Sequence, residues 1–368
     1  MKIAVLTSFD AENIHEWSGT IYYIIQYLKQ NHTLYFIGRN FTSQAESFTR
    51  NNFSIRKYDV DYLQVLGKVC SEKINQLPDC DLVFFCDLAL SAFLKVSLPL
   101  VHFSDASCHT MHSFRTDISH AQKRKIKEIE YKTLQKYNSI IYPSEWIAND
   151  TKNNFQIEQW KISVIEFGAN IPHPESYQTE IETTICHIVF IGRHWKNKGG
   201  DIAFKTIRHL QKQGFPCKMT FIGCTPPPNE SLPENTKIIP FLDKSKPEEL
   251  ERLCSILYEA HFLLLPTRFD AFGIVFAEAS AYGVPSIATN VGGTSQAIRE
   301  GKNGFLLPLE AGAEEYANKI KEVFADKESY YQLRRTSRKE YETRLNWDVW
   351  LKRVNKVFEE TIAKYNKT

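Results

Sequence analysis

The sequence has little of what marks several large classes of protein. Net charge is nearly absent: 45 Lys and Arg against 43 Asp and Glu leave +2 with histidine neutral. Such a balance supplies no whole-molecule field for holding nucleic acid. No apolar run approaches the roughly 18 residues that a bilayer-spanning helix needs. The opening MKIAVLTSF reads as a strand and lacks the apolar core and cleavage site of a secretory leader, so a soluble, cytoplasmic protein is expected. The eight cysteines are scattered without C-x-x-C or zinc-like spacing and read as reduced, buried thiols. Neither G-x-G-x-x-G nor G-x-x-x-x-G-K-[ST] occurs, which removes the usual dinucleotide and P-loop marks. Internal repeats and low-complexity tracts are also missing.

What is present is a globular balance, 43% hydrophobic and 24% charged, over 368 residues, enough for two domains. Short apolar strands alternate with helical patterns twice. KIAVLTS, TLYFIG, DLVFFC, PLVHFS and SIIYPS lie in the first half; ICHIVFIG, KMTFIG, TKIIPF, HFLLLP and VPSIAT lie in the second. Continuous apolar strands between helices indicate parallel sheets covered on both faces, hence two doubly wound α/β domains. The polar, aperiodic NIPHPESYQTEIE (170–182) reads as the linker. The expected division is 1–172, 173–346 and a terminal amphipathic helix, 347–368. Before the helix that follows TKIIPF, Ser245 with Glu248 three residues on suggests a capping box.

In open α/β sheets ligands bind beyond the carboxyl ends of strands, near helix N-termini. Four loops qualify. GRHWKNKGG (192–200) places Arg193, Lys196 and Lys198 ahead of a helix, as a pyrophosphate requires, or is a solvated basic loop. RFDAFG (268–273) brings Arg268, Asp270 and Gly273 before the next helix, whose N–H groups around Phe272, Gly273 and Ile274 can receive phosphate. Glu278 lies deeper in that helix among apolar and small residues, where an unpartnered carboxylate is costly. Its two oxygens can accept from adjacent hydroxyls, as a ribose diol presents; the counter-reading is a salt-bridged core glutamate.

DAENIHEWSGT (10–20) ends at Gly19, which either admits a phosphate or is a plain helix cap. HFSDASCHTMH (102–112) concentrates His102, Asp105, His109 and His112. Without a cysteine pair or H-E-x-x-H, these suit a hydroxylated substrate better than a metal. The D-x-D triplets Asp59–Asp61 and Asp79–Asp81 are short enough to arise by chance.

These residues together resemble the retaining, nucleotide-sugar-dependent glycosyltransferases of family 4, whose GT-B fold sets two Rossmann-like domains across a cleft. RFDAFGIVFAEASAYGVPSIATNVGG is similar to the family's E-x(7)-E segment with its A-x-G-x-P and double glycine. FIGRHWKNKGG resembles its G-R…K-G loop, and KISVIEFGANI, WSGT and NWDVWLKRVNKVFEE resemble further segments in the right order.

The resemblance implies transfer of a sugar from a UDP- or GDP-type donor to a glycan, glycolipid or other glycoconjugate, as in polysaccharide biosynthesis. Anomeric configuration would be retained, with no metal or other cofactor. Arg193 and Lys198 would hold the diphosphate and neutralise the leaving group, while Glu278 would grip the ribose. Asp270, in place of the family's first glutamate, would meet hexose hydroxyls. The N–H groups of Phe272, Gly273 and Ile274 would approach phosphate or hexose, Gly19 the diphosphate, and Pro240 and Phe241 the base.

The sequence departs from the family at Asp270, which is one methylene short. Ser104 and Asp105 stand where a histidine is frequent, with His109 a substitute from farther on, and Gln296 stands where a glutamate is common. These departures keep a noncatalytic nucleotide-sugar-binding module in view, beside a GT-B epimerase; no lysine is nominated for a phosphorylase's pyridoxal. The basic helix 120–137 offers peripheral contact with anionic lipid at the inner face of a membrane, or simply a solvated face.

Overall fold

The computed structural model describes residues 1–38, 60–85, 88–112, 119–174, 177, 179–228 and 230–367. Asp59 and Cys86 lie outside the described residues, as do the side chains of Asp61 and His112. The chain divides into unit 1, Met1–Ile165 with Trp350–Thr368, and unit 2, Glu166–Val349.

Unit 1 is built on β1 (Lys2–Leu6), β2 (Thr33–Ile37), β3 (Leu82–Phe85), β4 (Leu100–Phe103), β5 (Ser139–Tyr142) and β6 (Ile162–Val164). They form one sheet in the order β2-β1-β3-β4-β5-β6, and every pairing is parallel. β3 is buried at all four positions, which explains why LVFF shows no polar alternation: helices cover both faces. The terminal helix Trp347–Tyr365 contributes Trp350, Val354 and Phe358 to this core, each fully buried and one turn apart. Phe358 meets Phe84 edge-on at 5.4 Å, and Trp350 meets Phe103 at 6.2 Å. Burying each such ring contributes about 2–3 kcal/mol, so the helix is held by its apolar stripe.

Unit 2 carries β7 (Cys186–Ile191), β8 (Cys217–Ile222), β9 (Thr236–Ile239), β10 (Phe262–Leu265), β11 (Ser286–Thr289) and β12 (Gly304–Leu307). The order is β12-β11-β10-β7-β8-β9, again parallel throughout. The order reverses between β7 and β10. At such a switch point the following loops leave in opposite directions and open a crevice at the carboxyl ends of the strands.

The doubly wound α/β expectation is therefore met in each unit. The boundary falls seven residues earlier than expected, because residues 166–172 pack on unit 2. Phe167 stacks edge-on against Phe272 at 5.1 Å, Ala169 N–H donates to Leu345 O, and Tyr282 Oη donates to Pro172 O. The capping box at Ser245 is not formed. The helix Pro247–Glu259 starts after Lys246 without a side-chain cap, because Ser245 Oγ is already committed to Asp243 Oδ1 (2.7 Å).

Candidate active site

The loops after β7 and β10 meet at the switch point of unit 2. Arg268 N–H donates to Asn197 O at 2.7 Å. Its guanidinium grips both oxygens of Asp201, at 2.9 and 2.8 Å, in the first turn of the helix Gly200–Lys212. Arg268 thus braces the loops and is not offered to a ligand. Lys198 and Asp270 are brought together: Nζ lies 2.5 Å from Oδ2, with both side chains mostly buried. Asp270 is held from behind as well, since its carbonyl accepts from Gly293 N–H (3.0 Å) in the glycine pair after β11.

Arg193 forms no ion pair among the described residues. Its guanidinium stands 4.8 Å from the centre of the half-exposed Phe241 ring, a cation–π contact that couples the loop after β7 to Pro240 and Phe241 after β9. Planar, stackable surface beside a cation suits a heteroaromatic base attached to phosphate.

The helix Ile274–Ala281 starts after Gly273 (φ +83°) with no side-chain cap, leaving its first N–H groups without the usual partner. Positions 275–281 of that helix are all buried. Phe272 is buried too, so what that residue can offer a ligand is backbone. Glu278, 1% exposed, is carried within this otherwise uncharged helix. Its Oε1 accepts from Lys244 Nζ in the loop after β9. No sequence motif singles out Lys244; a buried carboxylate demands a cation, but nothing in the spacing says which one.

In unit 1 the loop after β1 runs through three successive left-handed residues, Trp17 (φ 47°), Ser18 (φ 56°) and Gly19 (φ 86°), before the helix Thr20–Asn31. Trp17 is anchored by stacking on Phe9 at 5.9 Å and by donating Nε1–H to Asp105 Oδ2 at 3.0 Å. Ser104 Oγ closes a local turn with Ala106 O (2.8 Å). His109 pairs through Nδ1 with Asp150 at 2.7 Å; Asp150 also accepts from Ser107 and Asn154.

The histidine-rich stretch is not one cluster. His102 is buried against Tyr137, with ring planes 3° apart, and burial pulls its pKa down to about 3. Asp79 and Asp81 tie to Lys2 at the amino ends of the strands, away from the loops that carry the other candidates. Among the described residues no group of three or more His, Cys, Asp or Glu could hold a metal ion. Cys80, Cys108, Cys186, Cys217, Cys224 and Cys254 are free thiols. No described helix is long and apolar enough to cross a membrane. In the helix His120–Lys136, Ile126 and Leu134 face inward, while Tyr131 stays exposed on the same helix as the basic side chains.

The family described as glycosyl transferases group 1 matches residues 186–326, all within unit 2, the unit that carries these loops. The D-inositol 3-phosphate glycosyltransferase of Corynebacterium efficiens is 24% identical over 231 residues, covering 57% of this chain and 54% of that protein. The chain thus spans about half the length of the curated relatives it matches first. The crystal structure of a glycosyltransferase from Rickettsia africae superposes with a TM-score of 0.68 at 16% identity, over 98% of both chains. HepE of Anabaena, solved in complex with UDP and glucose, gives 0.64 at 15% identity, over 98% of this chain and all of its own. These likenesses show the α/β fold of GT-B glycosyltransferases. They lend nothing to the noncatalytic or epimerase alternatives.

Proposed function

We propose that the protein is a glycosyltransferase that moves a sugar from a nucleoside diphosphate donor to a hydroxyl of a glycan, glycolipid or related acceptor. The observation that carries this reading is the Lys198–Asp270 pair at the switch point of the group 1 domain, with Arg193, stacked on Phe241, in the same loop after β7 as Lys198. Lys198 has further donors beyond the one given to Asp270, and Arg193 has no ion-pair partner among the described residues. Both can meet the negative charge that grows on the diphosphate as the bond from the anomeric carbon to its oxygen breaks. Asp270 orients hexose hydroxyls, Glu278 takes the ribose, and Phe241 with Pro240 flanks the base. The family resemblance supports retention of configuration and a reaction without metal, and UDP bound in HepE supports a nucleotide donor.

Three measurements test the reading. Turnover should survive EDTA, since Arg193 and Lys198 supply the positive charge; a strict Mg²⁺ or Mn²⁺ requirement would overturn the metal-free mechanism. Proton NMR of the first product should show the donor's anomeric configuration. Calorimetry of the nucleoside diphosphate separates the acids. Glu278→Gln should weaken binding, whereas Asp270→Asn should depress kcat strongly and leave that affinity nearly unchanged. The opposite pattern would reverse the two assignments.

A further inference from the structure

Glu278 has one hydrogen-bond partner among the described residues, Lys244, which takes Oε1 and leaves Oε2 free of donors from them. The two side chains differ in access: Glu278 is 2% exposed and Lys244 22%. Lys244 reaches the carboxylate from a stiffened turn. Asp243 Oδ1 accepts from Ser245 N–H and Oγ–H at 2.9 and 2.7 Å, and Asp243 N–H donates to Glu249 at 2.6 Å. Lys246 Nζ donates to the other oxygen of Glu249 at 2.8 Å. The same turn begins at Phe241, whose ring carries Arg193. A lysine needed only to neutralise a core acid has no reason to ride on the ligand-facing loop.

We propose that Lys244 and Glu278 read the ribose diol as a pair, which makes Lys244 a determinant of nucleotide specificity. The inference rests on the nucleotide-sugar reading above. A hydroxyl can donate and accept, a carboxylate can only accept, and an ammonium can only donate. One ribose hydroxyl donates to Oε2 of Glu278. The neighbouring hydroxyl accepts from Lys244 Nζ, which has donors left after binding Oε1. Loss of either hydroxyl leaves a desolvated charged group short of a partner, so the site selects ribonucleotides over deoxyribonucleotides.

The test is calorimetry with UDP, GDP or ADP, whichever binds the unaltered chain, and with its 2′-deoxy and 3′-deoxy analogues. The unaltered chain should bind each deoxy analogue roughly five- to tenfold more weakly. Lys244→Met should erase the discrimination against one analogue, and Glu278→Gln against the other. Lys244→Arg should keep both, since it preserves the charge and the donors. If Lys244→Met does not fold, because Glu278 is left as an uncompensated buried charge, the Lys244→Met/Glu278→Gln double variant should lose both discriminations. Retention of both ratios in Lys244→Met overturns the role of Lys244 alone, and retention of either in the double variant overturns the pairing. Failure of all three diphosphates to bind the unaltered chain overturns the nucleotide-sugar reading and the pairing with it.

Discussion

Gly199 is where backbone geometry and the site are most tightly joined. It precedes the helix Gly200–Lys212 with φ +75°, and a β-carbon there would stand 1.8 Å from Pro266 O, at the end of β10. Two costs therefore add in Gly199→Ala. The left-handed conformation costs a non-glycine residue about 1–2 kcal/mol. Opening the clash requires backbone to move by more than about 1 Å against a packed sheet, for which overpacking costs of about 1–3 kcal/mol are the guide. Gly214 provides the control: φ is +70°, yet a β-carbon added there would meet nothing within 4 Å, so Gly214→Ala should incur the first cost alone. The expected difference, about 1–3 kcal/mol, corresponds to roughly 2–12 °C in the melting temperature of a unit this size. Activity should suffer beyond stability, since the forced movement lies between Lys198 and the loop of Asp270, and a 1 Å misplacement can cost about a hundredfold in rate. Urea unfolding of the two variants, with donor turnover measured on the folded proteins, checks both parts. Equal unfolding midpoints for Gly199→Ala and Gly214→Ala would refute the contact argument.

Two further predictions concern stability. Burial holds His102 at a pKa of about 3 and His187 and His261 at about 4, against 6.5 when exposed. The unfolded chain thus binds more protons between pH 4 and 6.5, and stability should be full above 6.5 and fall by up to about 1.4 kcal/mol per pH unit per histidine below it. Burial raises Glu130 to about 7 from 4.5, so its contribution is full below 4.5 and is lost as pH rises through 7, which opposes but does not cancel three histidines. Urea midpoints that stay flat from pH 7 to 5 would contradict this balance. At Gln296, Nε2 donates to the buried Glu166 at 2.7 Å, so Gln296→Glu sets two carboxylates face to face despite Arg344 at 4.0 Å from Glu166. A loss of about 1–3 kcal/mol is expected at pH 7, smaller at pH 5 where the pair can share a proton; an unchanged urea midpoint at pH 7 would count against it.

Strand identity was legible because both faces of each sheet are covered, so KIAVL, LVFF and FLLL needed only their apolar continuity to be read. The loops after β7 and β10 were legible for a related reason: ligand sites follow strand ends, and Arg193, Lys198 and Asp270 stood there. What stayed hidden depends on contacts between distant positions. Lys244 meets Glu278 across 34 residues and Gln296 meets Glu166 across 130, with no local pattern to link them. Asp150 and His109 are joined only because two helices pack side by side. Ser245 had the residue type of a cap, but its hydroxyl donates to Asp243 instead, a competition that propensity alone cannot rank. β12, GFLL, opens on a glycine directly after the polar EGKN, so its start reads as a turn.

On the proposed function, Lys198 stabilises the departing diphosphate of a nucleotide sugar. The most direct measurement is release of nucleoside diphosphate from a panel of UDP-, GDP- and ADP-sugars, compared between the unaltered chain and Lys198→Ala, with an acceptor mixture present and absent. One donor should be turned over, and Lys198→Ala should slow it by roughly 10²–10³, the loss expected when one preorganised charge is removed from a transition state. Turnover that is indifferent to Lys198→Ala, or no turnover of any donor, would contradict the account.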